Sequence, residues 1–473
     1  MPVEAVDVAV VGAGPAGLAA AIAAARSGLS VDLLDEQASA GGQIYRGLER
    51  CDPRRLSILG PDYAAGSELL AEFEKSGIRH VRGASVWQVA RDHSIDYLHE
   101  GRSVRLQARQ VILCSGALER PFPIPGWTLP GVMTAGAAQI LLKGSGVVPQ
   151  DDVVLAGCGP LLYLLGWQYL RAGVRIRAIV DTTGPADYWQ AMRHVGGALA
   201  AWPVLAKGLR LLHALKSHGV PFHTGATELA IEGAQAAQAL VFKAGGRRHR
   251  LASRLVLLHQ GVVPNTQFTW SLRAAHDWDA GQLCWRPRVD SWGELDQPGI
   301  FVAGDASGIG GANAAPAQGR LAALAAAHRL GRIDSRQRDS LAATQRRALR
   351  TALRIRPFLD TLYRPKLANR VPSGETIVCR CEEVTAGAIL GYVDLGCVGP
   401  NQTKAFGRCG MGPCQGRLCG LTVTELIAFG TGLAPGEVGY YRIRPPIKPI
   451  TLGELAAGQS LGDGDDTPQA VKP

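Results

Sequence analysis

"VDVAVVGAGPAGLAAAIAAARSGLSVDLLDEQ", residues 6–37, decides the fold. An apolar run of strand length meets three spaced glycines, an Ala-rich helical stretch follows, and a second apolar run ends in acid. Gly12 permits the tight turn, Gly14 lets backbone approach a pyrophosphate, and Gly17 lets helix pack on strand. Pro15 and Ala16 begin the helix, whose free amides and positive dipole end face the phosphates. Asp35 closes the second strand 23 positions after Gly12, where a carboxylate accepts ribose hydroxyls, and Glu36 stands beside it as the alternative. Strand, turn, helix and acid together read as a βαβ unit that binds a dinucleotide.

The pattern partly repeats in "DDVVLAGCGPLLYLLGWQYLRAGVRIRAIVDTT", residues 151–183. Gly157 and Gly159 match the first two glycines, but Leu162 stands where the third belongs, and Asp181 comes one step late. The expectation is a second dinucleotide fold whose nicotinamide site is degraded.

Two further stretches belong to the first site. "ARQVILCSGALERPFPIPGW", residues 108–127, is a strand that runs into Ser115-Gly116 and a Pro-rich exit. "GIFVAGDASGIGGANAAPAQGRLAALAAA", residues 299–327, is a strand that ends in Gly304-Asp305, then glycines and a helix. The loop "GGQIYRG", residues 41–47, brings Gly42 near the cofactor and offers Gln43 as a hydrogen-bonding group. In this order the motifs resemble the two-dinucleotide-binding flavoprotein superfamily. That resemblance implies FAD in the first site, with Asp305 near its ribityl-phosphate region.

A chain of 473 residues is long enough for two or three domains, and its net charge of +10 favours anionic ligands without proving nucleic acid contact. The apolar start contains Asp7 and lacks a basic leader, so it is not read as a signal peptide. No other apolar run approaches the ~20 residues of a membrane span, and a cytoplasmic protein is expected. The FAD-binding domain is assigned to residues 1–125 and 288–335, and the second nucleotide fold to 126–287. A basic connector takes 336–372, a cysteine domain 373–430, and an extension with a disordered tail 431–473. In the connector, Arg346, Arg350 and Arg354 share one helical face, read as solvated rather than as a nucleic acid site because no aromatic residues interleave.

Six of the ten cysteines lie in that short region, five of them in two dense stretches. "VCRCEE" carries Cys379 and Cys381, and "GRCGMGPCQGRLCG" carries Cys409, Cys414 and Cys419. Thiolates at these spacings suit an iron–sulfur cluster or zinc. A flavin next door favours [2Fe-2S], because a two-electron carrier beside a one-electron relay makes a usable chain. Arg380, Arg408 and Arg417 are placed to offset the cluster's negative charge. Cys379, Cys381, Cys414 and Cys419 are the expected ligands, since "CQGRLC" should open a helix whose amides stabilise a cluster. Cys409 is then the spare thiol, with the alternative that the loop before "GMGP" folds back and Cys409 replaces Cys419 as the fourth ligand. The stretch resembles the domain of bacterioferritin-associated ferredoxin, but its second pair is spaced Cys-x₄-Cys rather than Cys-x₂-Cys.

"GGQIYRG", "ERPFPIPGWTLPGVMTAGAAQILLK", "VPNTQ", "VCRCEEVT" and "GMGPCQGRLCG" together resemble a narrower family over nearly the whole length. It comprises the FAD-binding alpha subunits of opine oxidases, D-hydroxyproline dehydrogenases and hydrogen cyanide synthase, with a related subunit in dye-linked L-proline dehydrogenases. The resemblance implies an electron-transfer subunit. Its partner is a glycine-oxidase-like flavoprotein beta subunit that oxidises an amino or imino acid, joined in some members by a small third subunit. It further implies flavin mononucleotide between subunits, an acceptor such as a quinone, and ATP as the alternative occupant of the first site. Two rival readings stay open: a stand-alone NAD(P)H-dependent flavoprotein reductase that uses Gly157, Gly159 and Asp181, and a scaffold with structural ATP and zinc. His259 is the one histidine beside a flavin-side loop, read as structural or cofactor-packing rather than as an acid or base.

Overall fold

The computed structural model describes residues 6–458, so the expected disordered tail at 462–473 lies outside the described residues. The architecture is the expected α/β one: two Rossmann-like units and a small, helix-rich C-terminal domain.

The first sheet has five parallel strands, in spatial order Arg79–Arg82, Val31–Asp35, Val6–Val11, Arg102–Leu113 and Ile300–Val302. Its register sets Val8 between Val31 and Gln110, and Val10 between Leu33 and Ile112. These strands are covered on both faces, which is why they read as unbroken apolar runs. One face is covered by the helices Pro15–Arg26 and Ala315–Arg329. Their small residues bring the backbones almost into contact: a Cβ on Gly319 would lie 2.0 Å from the Ala16 carbonyl oxygen. Arg102–Leu113, twelve residues long, changes partner along its length. Its second half belongs to the parallel sheet, and its first half pairs antiparallel with Ser94–His99, which pairs in turn with Ser85–Val89.

The second sheet is parallel throughout, in the order Phe222–His223, Ile176–Asp181, Val153–Cys158, Leu255–Gln260 and Val132–Thr134. A three-stranded antiparallel sheet, Thr227–Glu232, Ala239–Ala244 and Arg247–Ala252, packs on one face through Leu240 and Phe242. A ribbon of Ala117–Glu119 against Val262–Pro264 joins the two bodies. Beyond them, helix Ser335–Leu353 returns to the first body. Arg346 departs from the solvated face expected of it, because its guanidinium lies 4.4 Å from the Trp292 ring; Arg350 and Arg354 are exposed.

The cysteine domain has a hairpin, Ile377–Cys379 with Val384–Thr385, and the helices Ala386–Asp394, Pro400–Gly407 and Gly420–Thr431. Its core is continuous with that of the three-stranded extension of the first sheet: Val423, Leu426, Ile427 and Ile447 belong to one apolar cluster with Val86, Ile95 and Tyr97. Trp127 strengthens the junction by donating from Nε1 to the Ile377 carbonyl at 2.7 Å.

Candidate functional site

Parallel strands that end at a common edge place their following loops in one crevice. At the edge of the first sheet this gathers Gly12, Gly14, Pro15, Ala16 and Gly17 from the first turn, Gly42 from the next loop, and Gly304 from the last strand. Gly12 has φ of +102°, and a Cβ there would meet the Cys114 carbonyl oxygen at 2.4 Å. A Cβ on Gly17 would lie 1.8 Å from the Gly12 oxygen, one on Gly42 2.7 Å from the Gly14 Cα, and one on Gly304 2.8 Å from the Ala16 Cβ. Bare backbone therefore forms the floor of the crevice.

Asp35 is buried at its rim. Its Oδ2 accepts from the Ala13 amide at 2.5 Å and its Oδ1 from the Gln37 amide at 2.7 Å. Burial raises its pKa against the pull of those two amides. Each oxygen keeps a further lone pair for a hydroxyl donor. Glu36 points outward instead and is ion-paired with Lys448. Asp305 turns its Oδ1 onto the Gly310 and Gly311 amides at 3.0 and 2.8 Å, which fixes the glycine loop before helix Ala315–Arg329.

Ser115 and Gly116 lie where the chain leaves the first sheet. The Ser115 hydroxyl donates to the Asn265 carbonyl at 2.9 Å, and the Asn265 amide donates to the Gly116 carbonyl at 3.0 Å, so "VPNTQ" is tied to the crevice. Buried Asn265 Oδ1 and Gln267 Oε1 on that loop, and Gln318 Oε1 at the helix start, have no hydrogen-bond partner among the described residues. Gln43 is exposed, and its carbonyl accepts from Lys143 Nζ at 3.1 Å. Lys143 escapes sequence reasoning because it only ends an apolar helical stretch. Burial, helped by Arg46, pushes its pKa down to about 7.

The second glycine turn differs. The Asp181 carboxylate is already engaged, accepting from the Tyr163 hydroxyl and, through Oδ1, from the Thr183 amide at 2.8 Å. The segment after helix Arg356–Leu362 closes over it: the Tyr363 ring is 6.1 Å from that of Tyr163, and Gln260 donates to the Asn369 carbonyl at 3.1 Å. Lys366 pairs with Asp187 at 2.5 Å beside them. His259 is buried, with Nδ1 at 2.6 Å from Glu119, whose other oxygen accepts from the Gly136 amide at 2.8 Å. Its place against Gly157 and Gly159 matches the packing role expected of it.

In the cysteine domain, the Sγ atoms of Cys379, Cys409 and Cys419 all lie within 4.8 Å of one another, buried. Cys381, in the hairpin turn, is hydrogen-bonded to Cys414, so these two make a second pair. Cys409 is therefore not remote, as a spare thiol would be: it sits in the buried trio because Arg408 ends helix Pro400–Gly407 in the left-handed conformation and turns the chain inward. Hydrogen bonds from Cys409 and Cys419 hold the Cys379 thiol far down, at about 2, and the bond to Cys379 pushes Cys409 up to about 12. Helix Gly420–Thr431 begins only after "CQGRLC", which forms turns, and Cys419 is its N-cap.

Of the three arginines, Arg408 pairs with Glu382 at 3.0 Å and Arg380 lies over the Trp127 ring at 5.3 Å. Neither is reserved for the thiols. Arg417 bonds the Ile447 carbonyl at 3.2 Å. The extension that the sequence left unplaced closes the site. Tyr441 is buried, and its hydroxyl donates to Cys409 Sγ at 3.4 Å, with Cys419 Sγ at 3.9 Å. Its ring fills the space where a Cβ on Gly410 or Gly416 would sit, 2.5 Å away in each case.

The model of the family described as "Pyridine nucleotide-disulphide oxidoreductase" matches residues 6–329, and that described as "Sarcosine oxidase A3 domain" matches residues 374–459. Among curated proteins, an opine oxidase subunit from Rhizobium meliloti is 44% identical over 459 residues, covering 95% of this chain and 87% of its own. Hydrogen cyanide synthase subunit HcnB of Pseudomonas protegens is 31% identical over 459 residues, covering 93% of this chain and 95% of its own. Among solved structures, L-proline dehydrogenase from P. horikoshii shares the fold with a TM-score of 0.69 at 18% identity, over 96% of this chain and 79% of that one.

Proposed function

The chain belongs to the family that holds hydrogen cyanide synthase subunit HcnB with its opine oxidase counterpart, and from that premise we propose that it is the electron-transfer (alpha) subunit of a hetero-oligomeric oxidoreductase. Its partner, a glycine-oxidase-like flavoprotein beta subunit, oxidises an amino or imino acid such as D-hydroxyproline or an opine. A small third subunit and an interfacial flavin mononucleotide complete the proposed assembly, with a quinone or similar acceptor downstream.

One observation carries this reading against a self-contained reductase: the second nucleotide site is filled by this chain's own residues. A nicotinamide dinucleotide needs the glycine turn and the end of the second strand open to it. Here the stretch from Tyr363 to Asn369 lies across that turn, with the Tyr363 ring against Tyr163, whose hydroxyl donates to Asp181. Electrons then enter from another protein. NADH or NADPH added anaerobically to the purified chain should leave its flavin absorbance unchanged, whereas the partner and its amino or imino acid should bleach it. Prompt bleaching by NADH would sink the proposal, and so would oxidation of an imino acid at full rate by this chain alone.

The residues of the first crevice fit FAD. The backbone floor at Gly12, Gly14, Gly17 and Gly42 admits a pyrophosphate, and Asp35 is placed for the adenosine ribose. The partnerless oxygens of Asn265, Gln267 and Gln318, with Ser115, Gly116, Gly304 and Asp305, are placed to meet the flavin's polar atoms. When bound, FAD supplies the exchange between two-electron and one-electron transfer. Cys379, Cys381, Cys414 and Cys419 are the proposed ligands of a [2Fe-2S] cluster. Cys409 is then a neighbour that donates to the Cys379 sulfur.

A second reading, zinc, is favoured by the compactness of the Cys379, Cys409 and Cys419 trio, since tetrahedral zinc gathers its thiolates closely. Metal analysis and electron paramagnetic resonance of the dithionite-reduced chain separate the two. Cys409→Ser keeps the signal if the four proposed ligands hold, and loses it if Cys409 is one of them. Tyr441→Phe moves the midpoint of that signal to a more negative potential, because a donor near the sulfurs stabilises the more negative, reduced state. An unchanged midpoint would make Tyr441 a packing residue only.

A further inference from the structure

The segment 185–217 is built unlike the rest of the surface. It contains the helices Pro185–Ala191, Val195–Ala200 and Trp202–Ser217, with a bend of 116° between its two halves. The inner side packs on the protein through Ala191, Ala198 and Leu215, all fully buried. The outer side should be polar by the ordinary rule for surface helices. Instead it presents Trp189 80% exposed, Leu199 and Trp202 57% each, Leu209 53% and Met192 52%. Tyr188, Trp189 and Met192 also line an open depression of about 500 Å³ beside Thr183 and Gly184. Single exposed apolar residues need no explanation, but five such side chains on one short segment, two of them Trp, mark a docking face.

The charge on the same segment identifies what docks. From Tyr188 to Thr227 the sequence has no Asp or Glu, while Arg193, Lys207, Arg210 and Lys216 all lie within it. Lys207 is paired with Asp62, but Arg193, Arg210 and Lys216 have no carboxylate partner among the described residues. Among the described residues no single helix is long and apolar enough to cross a membrane; the two halves of this segment reach that length and hydropathy only when counted together across their bend, and their inner side is already packed on the protein. Bent helices with a Trp- and Leu-bearing outer side and exclusively basic polar charge are suited to lie in the headgroup region of an anionic bilayer.

We propose that the outer side of 185–217 is a lipid-surface anchor that takes an anionic phospholipid bilayer, with Trp189, Leu199, Trp202 and Leu209 entering the interface and Arg193, Arg210 and Lys216 holding the headgroups. The arm packs on the second sheet's helix Pro160–Arg171 and on helix Arg356–Leu362, whereas the cysteine domain packs on the first sheet's antiparallel extension. A bilayer under the arm thus leaves the thiol site to another contact. This inference does not depend on the identity of either cofactor.

Flotation with vesicles tests it, using the full chain and, in parallel, the chain assembled with its partner. Binding to vesicles of phosphatidylglycerol and phosphatidylcholine should exceed binding to pure phosphatidylcholine by about tenfold or more at low salt, and should fall as salt rises. Trp189→Ser with Trp202→Ser should reduce it by at least about tenfold, without changing the far-ultraviolet dichroism. Arg193→Glu with Arg210→Glu should remove the preference for anionic vesicles. Absence of binding, equal binding to both vesicle types, or wild-type binding by the Trp variant overturns the proposal. So does loss of binding in the assembled complex, which would make the face a contact between subunits.

Discussion

Cys379→Ser abolishes the electron paramagnetic resonance signal of the reduced chain and empties the thiol site of metal. Cys379 ends the strand Ile377–Cys379, is buried, and lies within 4.8 Å of Cys409 and Cys419. Among the described residues it is the one thiol of the hairpin in that buried trio, so none can replace it without moving the hairpin. Serine keeps the volume but is a hard, weakly acidic oxygen that holds iron or zinc poorly. Metal binding of this kind is also folding free energy, so the domain should lose stability together with its metal. Because its core runs into that of the first sheet, unfolding of the variant should begin earlier without becoming a separate transition. Iron, sulfide and zinc analysis of the purified variant checks the first expectation and calorimetry the second. A full signal from Cys379→Ser would refute the thiol site as assigned under either metal.

Gly17→Ala should strip the nucleotide from the first crevice. The added methyl would lie 1.8 Å from the Gly12 oxygen and 3.0 Å from its carbonyl carbon, both backbone atoms with no rotamer to yield. Helix Pro15–Arg26 cannot retreat easily, because Ala315–Arg329 is packed against its other side at backbone distance. The turn must distort, and with it the amides that face the pyrophosphate. Overpacking of this kind costs about 1–3 kcal/mol, which as lost affinity is roughly 5- to 150-fold. Released flavin, quantified by chromatography after gel filtration, measures it. Gly28→Ala is a useful contrast: its Cβ would meet nothing within 4 Å, so the variant bears only the strain of a positive φ and should keep its nucleotide.

The two Rossmann-like units were legible in the sequence because glycine spacing and helix period are local signals, read within some thirty residues. The second turn's departure from the first was half legible. Leu162 and the late Asp181 announced a poor site, but the segment that closes it arrives from 363–369, nearly two hundred positions downstream. The cysteine site shows the same limit. Spacing counted the thiols, but the left-handed turn at Arg408 decided where Cys409 points, and spacing does not encode it. Tyr441 was written in the sequence only indirectly. Gly410 and Gly416 looked like ordinary loop glycines until the ring that fills their missing side chains was in place. Trp189 and Trp202 were invisible for another reason, since an apolar helix reads as core until its outer side is found bare.

Arg102–Leu113 joins two environments in one uninterrupted strand: its end reaches the nucleotide crevice, and its beginning carries the antiparallel extension on which the thiol domain rests. In the proposed electron-transfer subunit, donor and relay are thereby mounted on a single beam. Carriers on hinged arms deliver electrons at the pace of a diffusing domain, and thickening the solvent slows them. A carrier mounted on a beam has no such stroke to make, so the internal transfer in this chain should keep its rate in concentrated sucrose while encounters with separate proteins slow.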